Sequence, residues 1–239
     1  MNRVCIATIS WARNEDEERI LREALSKLAS LEMPVFITDG GSSESFRTFL
    51  GMLPNFTVLE AKGLWPQAKS SIKAAQETGA EFIFYTEPDK LEFFSDHISK
   101  LLRQPIDNTL GVLLASRSAK AFATFPSFQK MTETAINDCC KEIVGKPIDY
   151  CYGPFVFNKR LIAYLDALDD HCGWGWRPFV FAVAQRMGLR VESFVGDFNC
   201  PAEQREDDQA ERIYRMKQLA QNINGLVKAT GIDMGKGSV

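Results

Sequence analysis

The sequence has only two histidines, His97 and His171, and its six cysteines form no C-x-x-C pair. No zinc-like spacing joins Cys5, Cys139, Cys140, Cys151, Cys172 or Cys200 to either histidine, which argues against a structural zinc site. Basic charge is not in excess: the net charge is −3 and the isoelectric point near 5.6. The electrostatic footprint of a nucleic-acid binder is therefore missing. No apolar run is long enough to span a bilayer. The first residues, Met-Asn-Arg-Val-Cys-Ile, enter a strand pattern without a signal-peptide layout. Together these absences point to a cytoplasmic protein with reduced thiols, Cys5 and Cys151 packing as small hydrophobes. No G-x-G-x-x-G follows the first apolar run, and no G-x-x-x-x-G-K-[ST] occurs, so two common nucleotide sites are missing as well. Internal repeats and low-complexity linkers are also lacking.

What is present is a regular first half. At 239 residues and 45% hydrophobic content, the chain can bury a sizeable core. Apolar runs at 4–9, 35–38, 56–59 and 82–86 predict strands. Between them, Ile20, Leu21, Ala24, Leu25 and Leu28 repeat at helical spacing, as do Phe46, Phe49, Leu50 and Leu53. Asn14 is a good N-cap, and Glu17 three residues on suits a capping box. Pro66 suits the first turn of a helix that Gly79 ends. Strand–helix alternation of this kind predicts a mostly parallel twisted sheet flanked by helices.

The second half is less regular. Strands are expected at 111–115, 153–158 and 189–194, and helices at 127–144, 161–168, after the aromatic loop 173–178, and from about 209 to 228. The segment 197–208 is polar, and the glycine-rich tail is expected to fray. One domain, 1–239, is expected, with a regular half at 1–110, an irregular half at 111–200 and a closing helix and tail at 201–239. The closing helix could serve a homodimer.

Three strand ends carry polar groups: Arg13-Asn14-Glu15, Asp39-Gly40-Gly41-Ser42 and Glu87-Pro88-Asp89. In a parallel sheet all three face one rim, where open α/β sheets bind ligands. The apolar run Phe82–Thr86 ends in two acids separated by a proline that fixes its own φ. Two carboxylates on a stiff turn suit a hard cation such as Mg²⁺ or Mn²⁺, which can bridge to phosphates. Lys69 and Lys73 lie one helical turn apart, where either could face a diphosphate or simply solvent. Bland roles remain open elsewhere too: Asp39 starts an Asx-type turn equally well, and Glu15 favours a helix dipole.

This arrangement resembles the family 2 glycosyltransferases: a strand, Asn-Glu opening a helix, a strand with Asp-Gly-Gly-Ser-Ser, then Thr-Gly-Ala-Glu-Phe-Ile-Phe-Tyr-Thr-Glu-Pro-Asp. The resemblance is good over 3–90 and looser over 110–195. It implies a GT-A-type fold with an irregular C-terminal acceptor half, and a nucleotide-diphosphate sugar as donor. It assigns Asp89, with Glu87 in place of a usual Asp, to the metal. It assigns Asp39 to the nucleoside, with Thr38 replacing the first acid of the family's run. Asn14 and Glu15 match the family's Asn-Glu, while Arg13 replaces a common tyrosine. Arg13, Glu15, Asp39 and Lys69 are thus the candidate donor-binding residues.

The segment Gly173-Trp174-Gly175-Trp176-Arg177 resembles the family's G-[WY]-G-E-D, in which a carboxylate is general base. Here Trp176 and Arg177 stand at those positions, and arginine stays charged. Asp169 or Asp170 could supply the base, a retaining mechanism could do without one, or the chain could bind without transferring. Trp174 and Trp176 offer flat faces to a sugar unless they are core, and Arg177 could clamp an anionic acceptor. Asp197 could add a metal ligand and Arg205 could meet phosphate, although a solvated linker explains both. The expected function is metal-dependent glycosyl transfer to an unknown acceptor, with Asp170 and Arg177 as the candidate catalytic pair. The alternatives are a non-catalytic nucleotide-sugar-binding protein, or a sugar-1-phosphate nucleotidyltransferase, which would usually show glycine within Trp11-Ala12-Arg13-Asn14.

Overall fold

In chain order the strands are β1 (Val4–Ser10), β2 (Val35–Asp39), β3 (Phe56–Glu60), β4 (Phe82–Thr86), β5 (Leu110–Arg117), β6 (Phe155–Asn158) and β7 (Arg190–Gly196). The helices are α1 (Glu15–Ala29), α2 (Glu44–Met52), α3 (Leu64–Gln76), α4 (Leu91–Asp96), α5 (Ile98–Leu102), α6 (Ala119–Phe122), α7 (Ser127–Val144), α8 (Trp176–Arg186) and α9 (Gln209–Thr230). This computed structural model describes residues 3–205 and 207–237. Contacts divide the chain into two units, Met1–Ile106 with Pro154–Ile162, and Asp107–Gly153 with Ala163–Val239. The fold class is α/β, with a mixed, mostly parallel twisted sheet and flanking helices.

In the first unit the strand order is β3-β2-β1-β4-β6. β4 is buried along its whole length, as its unbroken run of aromatic and branched residues requires of a central strand. β1, β2, β3 and β4 are parallel, with Ser10 opposite Asp39 and Thr8 opposite Thr86. Their carboxyl ends therefore share one rim. β6 runs antiparallel to β4; its sequence showed a strand but not its direction, because the chain returns to this sheet only after leaving for the other unit. α1 buries Leu21, Ala24, Leu25 and Leu28, the face expected from their spacing. The short helices α4 and α5 were not anticipated; six and five residues are too few to show a helical period.

The second unit is built on the parallel pair β5–β7 and the helices α7, α8 and α9. α8 is buried at every position from Trp176 to Ala184, so it has no polar face. α9 crosses the single 3-10 turn Gly173–Gly175 backbone to backbone: a Cβ on Gly225 would overlap the Gly175 carbonyl oxygen. The expected helix at 161–168 is instead a 3-10 segment, Lys159–Ala167. Met234–Gly237 forms a 3-10 turn, and the last two tail residues, expected to fray, lie outside those described.

Within this unit sits a buried ion cluster. Arg117 Nε and Nη2 donate to Asp149 at 2.6 and 2.9 Å, and Nη2 donates to Glu133 at 2.6 Å. Gln129 and Asn137 donate to the same two carboxylates. The guanidinium also lies over the Phe122 and Phe125 rings, at 4.7 and 4.4 Å. Burial alone would push the Asp149 carboxyl up, but Arg117 more than offsets this and holds it below the ordinary carboxylate range.

Candidate functional site

The rim of the first unit is organised by Asp39. It is 1% exposed, and its carboxylate accepts four hydrogen bonds. Oδ1 accepts from Ser10 Oγ at 3.1 Å and Ser42 Oγ at 2.6 Å; Oδ2 accepts from the Gly41 and Ser42 amides, each at 2.8 Å. Ser42 Oγ in turn accepts from the Ala12 amide at 2.8 Å. Asp39 therefore ties the turn after β2 to the loop after β1. Gly40 serves close packing: a Cβ there would meet Gln67 Nε2 at 2.5 Å and Trp11 Cβ at 3.2 Å. Gln67 belongs to the first turn of α3, so two loops and the start of a helix converge at this rim.

Between the β1 and β2 loops lies an open groove of about 410 Å³, lined by Trp11, Arg13, Asn14, Glu15, Gly41 and Ser43 among others. Asn14 caps α1 as expected, accepting from the Glu17 amide at 2.9 Å. The capping box is displaced by one residue: Glu17 accepts from the Arg13 amide and from its guanidinium, not from the Asn14 amide. Burial pushes the Glu17 carboxyl up, and the Arg13 hydrogen bonds outweigh it, so it titrates below its usual range. Arg13 also lies over the Trp11 ring, 5.8 Å from its centre. Arg13 and Glu15 are both exposed. A larger hollow of about 780 Å³ follows the outer face of α1, but Arg22 and Glu18 there are paired with each other at 2.7 Å.

At the end of β4, Glu87 and Asp89 are both half-buried. Lys90 Nζ lies 3.8 Å from Asp89 Oδ1 and brings a positive charge beside the pair. No third His, Cys, Asp or Glu gathers with them among the described residues. Two hard carboxylates do not make a protein cage, but they fit a cation that takes its remaining ligands from phosphate and water. Lys69 is half-buried and Lys73 exposed on α3, Lys69 two residues beyond Gln67.

In the second unit, the segment resembling the acceptor motif is packed inside. Trp176 is fully buried, Arg177 is 5% exposed and Trp174 is 9% exposed. Trp174 donates its indole N–H to Tyr214 at 2.7 Å and its amide to Gln221 at 3.1 Å. Both tryptophans thus pack the interior, the core role that the sequence left open beside a sugar platform, and Arg177 has little surface to offer an anion. Asp169 is exposed and paired with Lys228 at 2.9 Å, and that hydrogen bond holds its carboxyl low. Asp170, beside it, is exposed. Asp197 accepts from Ser118 Oγ at 2.5 Å, and Arg205 donates to the Cys200 carbonyl.

Thiol chemistry has little support here. Burial pushes the Cys140 and Cys172 thiols up to about 12 and holds Cys151 well above the ordinary thiol value, so none of the three is a ready thiolate. Among the described residues no disulfide joins the cysteines, and no helix is long and apolar enough to cross a membrane.

Sequence reasoning missed Gln67 at the rim and gave Ser10, Trp11 and Ser42 no role of their own. One signal was available for Trp11: a large aromatic in a polar turn between a buried strand and a helix has no core position to fill.

No family model matches the chain, and no curated protein matches it by sequence. Its fold is nevertheless similar to that of glucosyl-3-phosphoglycerate synthase from Mycobacterium tuberculosis. The structure of that enzyme with Mn²⁺, UDP-glucose and phosphoglyceric acid matches with a TM-score of 0.65 at 13% identity, covering 97% of this chain and 82% of that one. Its complex with Mn²⁺, UDP and phosphoglyceric acid matches with a TM-score of 0.62 at 14% identity, covering 97% and 80%. A further mycobacterial protein matches with a TM-score of 0.65 at 14% identity, covering 97% and 76%. At this identity the likeness is one of fold, and it places the chain's architecture with the GT-A type.

Proposed function

We propose that this protein is a metal-dependent glycosyltransferase that uses a nucleoside-diphosphate sugar as donor. The observation that carries the proposal is the single sheet rim on which the β1 loop, the Asp39 turn and the Glu87-Pro88-Asp89 turn are aligned. The likeness to a fold that holds Mn²⁺ and UDP-glucose supports it. Arg13 and Glu15 line the groove that would take the nucleoside, and Asp39 holds the groove's two walls in register. Glu87 and Asp89 would hold Mg²⁺ or Mn²⁺ together with the diphosphate, and Lys69 would add positive charge on α3. Bound there, the cation offsets the charge of the departing diphosphate as the glycosidic bond breaks.

In this reading of a single domain the donor half is the regular part expected at 1–110, to which β6 adds a strand from within 111–200, and the rest of 111–200 is the acceptor half. An anionic acceptor draws its support from the phosphoglyceric acid bound by the similar enzyme, since Arg177 is buried. Asp170 is the better placed general base: it is exposed, whereas Asp169 is engaged by Lys228. The burial of Trp176 and Arg177 favours a second reading, a protein that binds nucleotide sugars without transferring them. Slow release of nucleoside diphosphate in the presence of Mn²⁺ is expected only of the enzyme.

A thermal-shift panel tests the donor site directly, with UDP-, GDP- and ADP-sugars, each with Mn²⁺ or with EDTA. Ligand at a hundred times its dissociation constant stabilises a fold by about 2.7 kcal/mol. A metal-dependent rise in melting temperature that Asp89→Ala abolishes is the expected result. A folded wild type that responds to none of the nucleotides would overturn the proposal.

A further inference from the structure

Asp39 is the residue that the family resemblance assigns to the nucleoside, yet its geometry leaves it little to offer. An ionised carboxylate has about four lone-pair positions. Two hydroxyls and two amides of the protein fill them, and the group is 1% exposed. A base N–H arriving at this rim would have to displace one of these bonds from a buried group, which is costly.

The groove instead presents a flat ring. Trp11 is 55% exposed, whereas Trp65 and Trp176 are fully buried and Trp174 is 9% exposed. A single exposed aromatic needs no explanation by itself; what sets Trp11 apart is that it lines the groove. The root of the side chain is held in place: its Cβ lies so near Gly40 that a Cβ there would meet it at 3.2 Å, the Ala12 amide beside it is pinned to Ser42, and Arg13 lies over the ring at 5.8 Å. Glu17 fixes Arg13 in turn through three hydrogen bonds. The wall is thus built before any ligand arrives, which lowers the ordering cost of binding.

Resting on the donor site proposed above, we infer that nucleoside recognition at this rim runs through stacking of the base on Trp11, with Asp39 as a positioning residue that makes no base contact. Stacking tolerates sequence, because every base has a π-face. The inference therefore specifies the ligand class: nucleoside diphosphates with loose base choice, purines bound at least as well as uridine.

Because three of the four tryptophans are buried, acrylamide quenching of the protein's fluorescence reports mainly on Trp11. The experiment titrates the full chain with UDP, GDP and ADP in Mn²⁺, following quenching and, by calorimetry, affinity. Bound nucleotide is expected to shield the exposed tryptophan. The three affinities should fall within about tenfold of one another. Trp11→Ala should weaken all three by about 5- to 150-fold, the range found when base–aromatic stacking is removed. Trp11→Phe, which keeps a ring, should recover most of the loss. Circular dichroism checks that both variants fold. Nucleotide that binds without shielding, or with wild-type affinity in Trp11→Ala, or with a hundredfold preference for one base, overturns the inference and leaves the donor site standing. A folded wild type that binds no nucleoside diphosphate overturns both.

Discussion

The rim of the first unit and the Gly173–Arg177 segment are similar in sequence. Each puts glycines beside aromatic or charged residues at the edge of a regular element. In three dimensions they diverge. At the rim the backbone turns are pinned from within by Asp39, while Trp11, Arg13 and Glu15 remain exposed. In the Gly173–Arg177 segment the glycines admit the backbone of α9, and Trp174, Trp176 and Arg177 go inside. A glycine records that something comes close without saying whether it is a ligand, a side chain or a helix. Only the elements packed around it decide, and those lie far along the chain: Gln67 for Gly40, and Gln221 and Gly225 for Gly173 and Gly175.

The contrast is broken most directly at the helix crossing. Gly225→Val places branched carbon where the Gly175 carbonyl stands, so α9 and the 173–175 turn must separate. Overpacking costs about 1–3 kcal/mol where a core can adjust, and more where backbone is in the way. We expect Gly225→Val to exceed that range and Trp176→Ala to cost about 3–5 kcal/mol, each read as a loss of melting temperature. A near-native melting temperature for Gly225→Val would show that the crossing is not close, and would reopen the segment as a ligand surface.

The ion cluster of the second unit comes next. Removing the cation from a buried pair costs about 3–5 kcal/mol, because the partner charges are left uncompensated. Arg117→Met should therefore lower stability by roughly that amount at neutral pH, as measured by denaturant unfolding. The pH dependence has a definite sign. Because the folded-state carboxyl of Asp149 lies below its ordinary value of 3.8, its contribution is complete above that value. It is lost as pH falls further, through the lower folded-state value. Arg117→Met should flatten this acid limb, and an unchanged limb would show that Asp149 does not depend on Arg117.

Much of the first unit was legible. The buried run of β4, the helical face of α1 and the Asn14 cap follow from local period and chemistry, and the parallel sheet follows from their alternation. The acidic turn was visible because Pro88 separates two carboxylates at a strand end. The antiparallel direction of β6 was not, since it depends on a partner some seventy residues away in sequence. The saturation of Asp39 was hidden for a similar reason: two of its four donors are hydroxyls, and one of these, Ser10, belongs to a different strand. The buried state of Trp176 could not be read from a motif at all, because G-W-G-W fits an open aromatic platform and a close helix crossing equally well.

The smallest effects on stability belong to the open groove, and they sharpen the comparison most. Glu15 is exposed, lines the groove and is one of four acids in the first turn of α1, where a single exposed charge contributes only about 0.3–1 kcal/mol through the helix dipole. Glu15→Ala should therefore leave the melting temperature of the ligand-free protein almost unchanged. If the groove takes the nucleoside, the same substitution should reduce the nucleotide-induced shift in melting temperature. A side chain kept for solvation alone would show neither effect, and one kept for the fold would lower the ligand-free melting temperature. Loss of the ligand shift without loss of ligand-free stability is what distinguishes the exposed rim from the buried segment that resembles it, where the two cannot be separated.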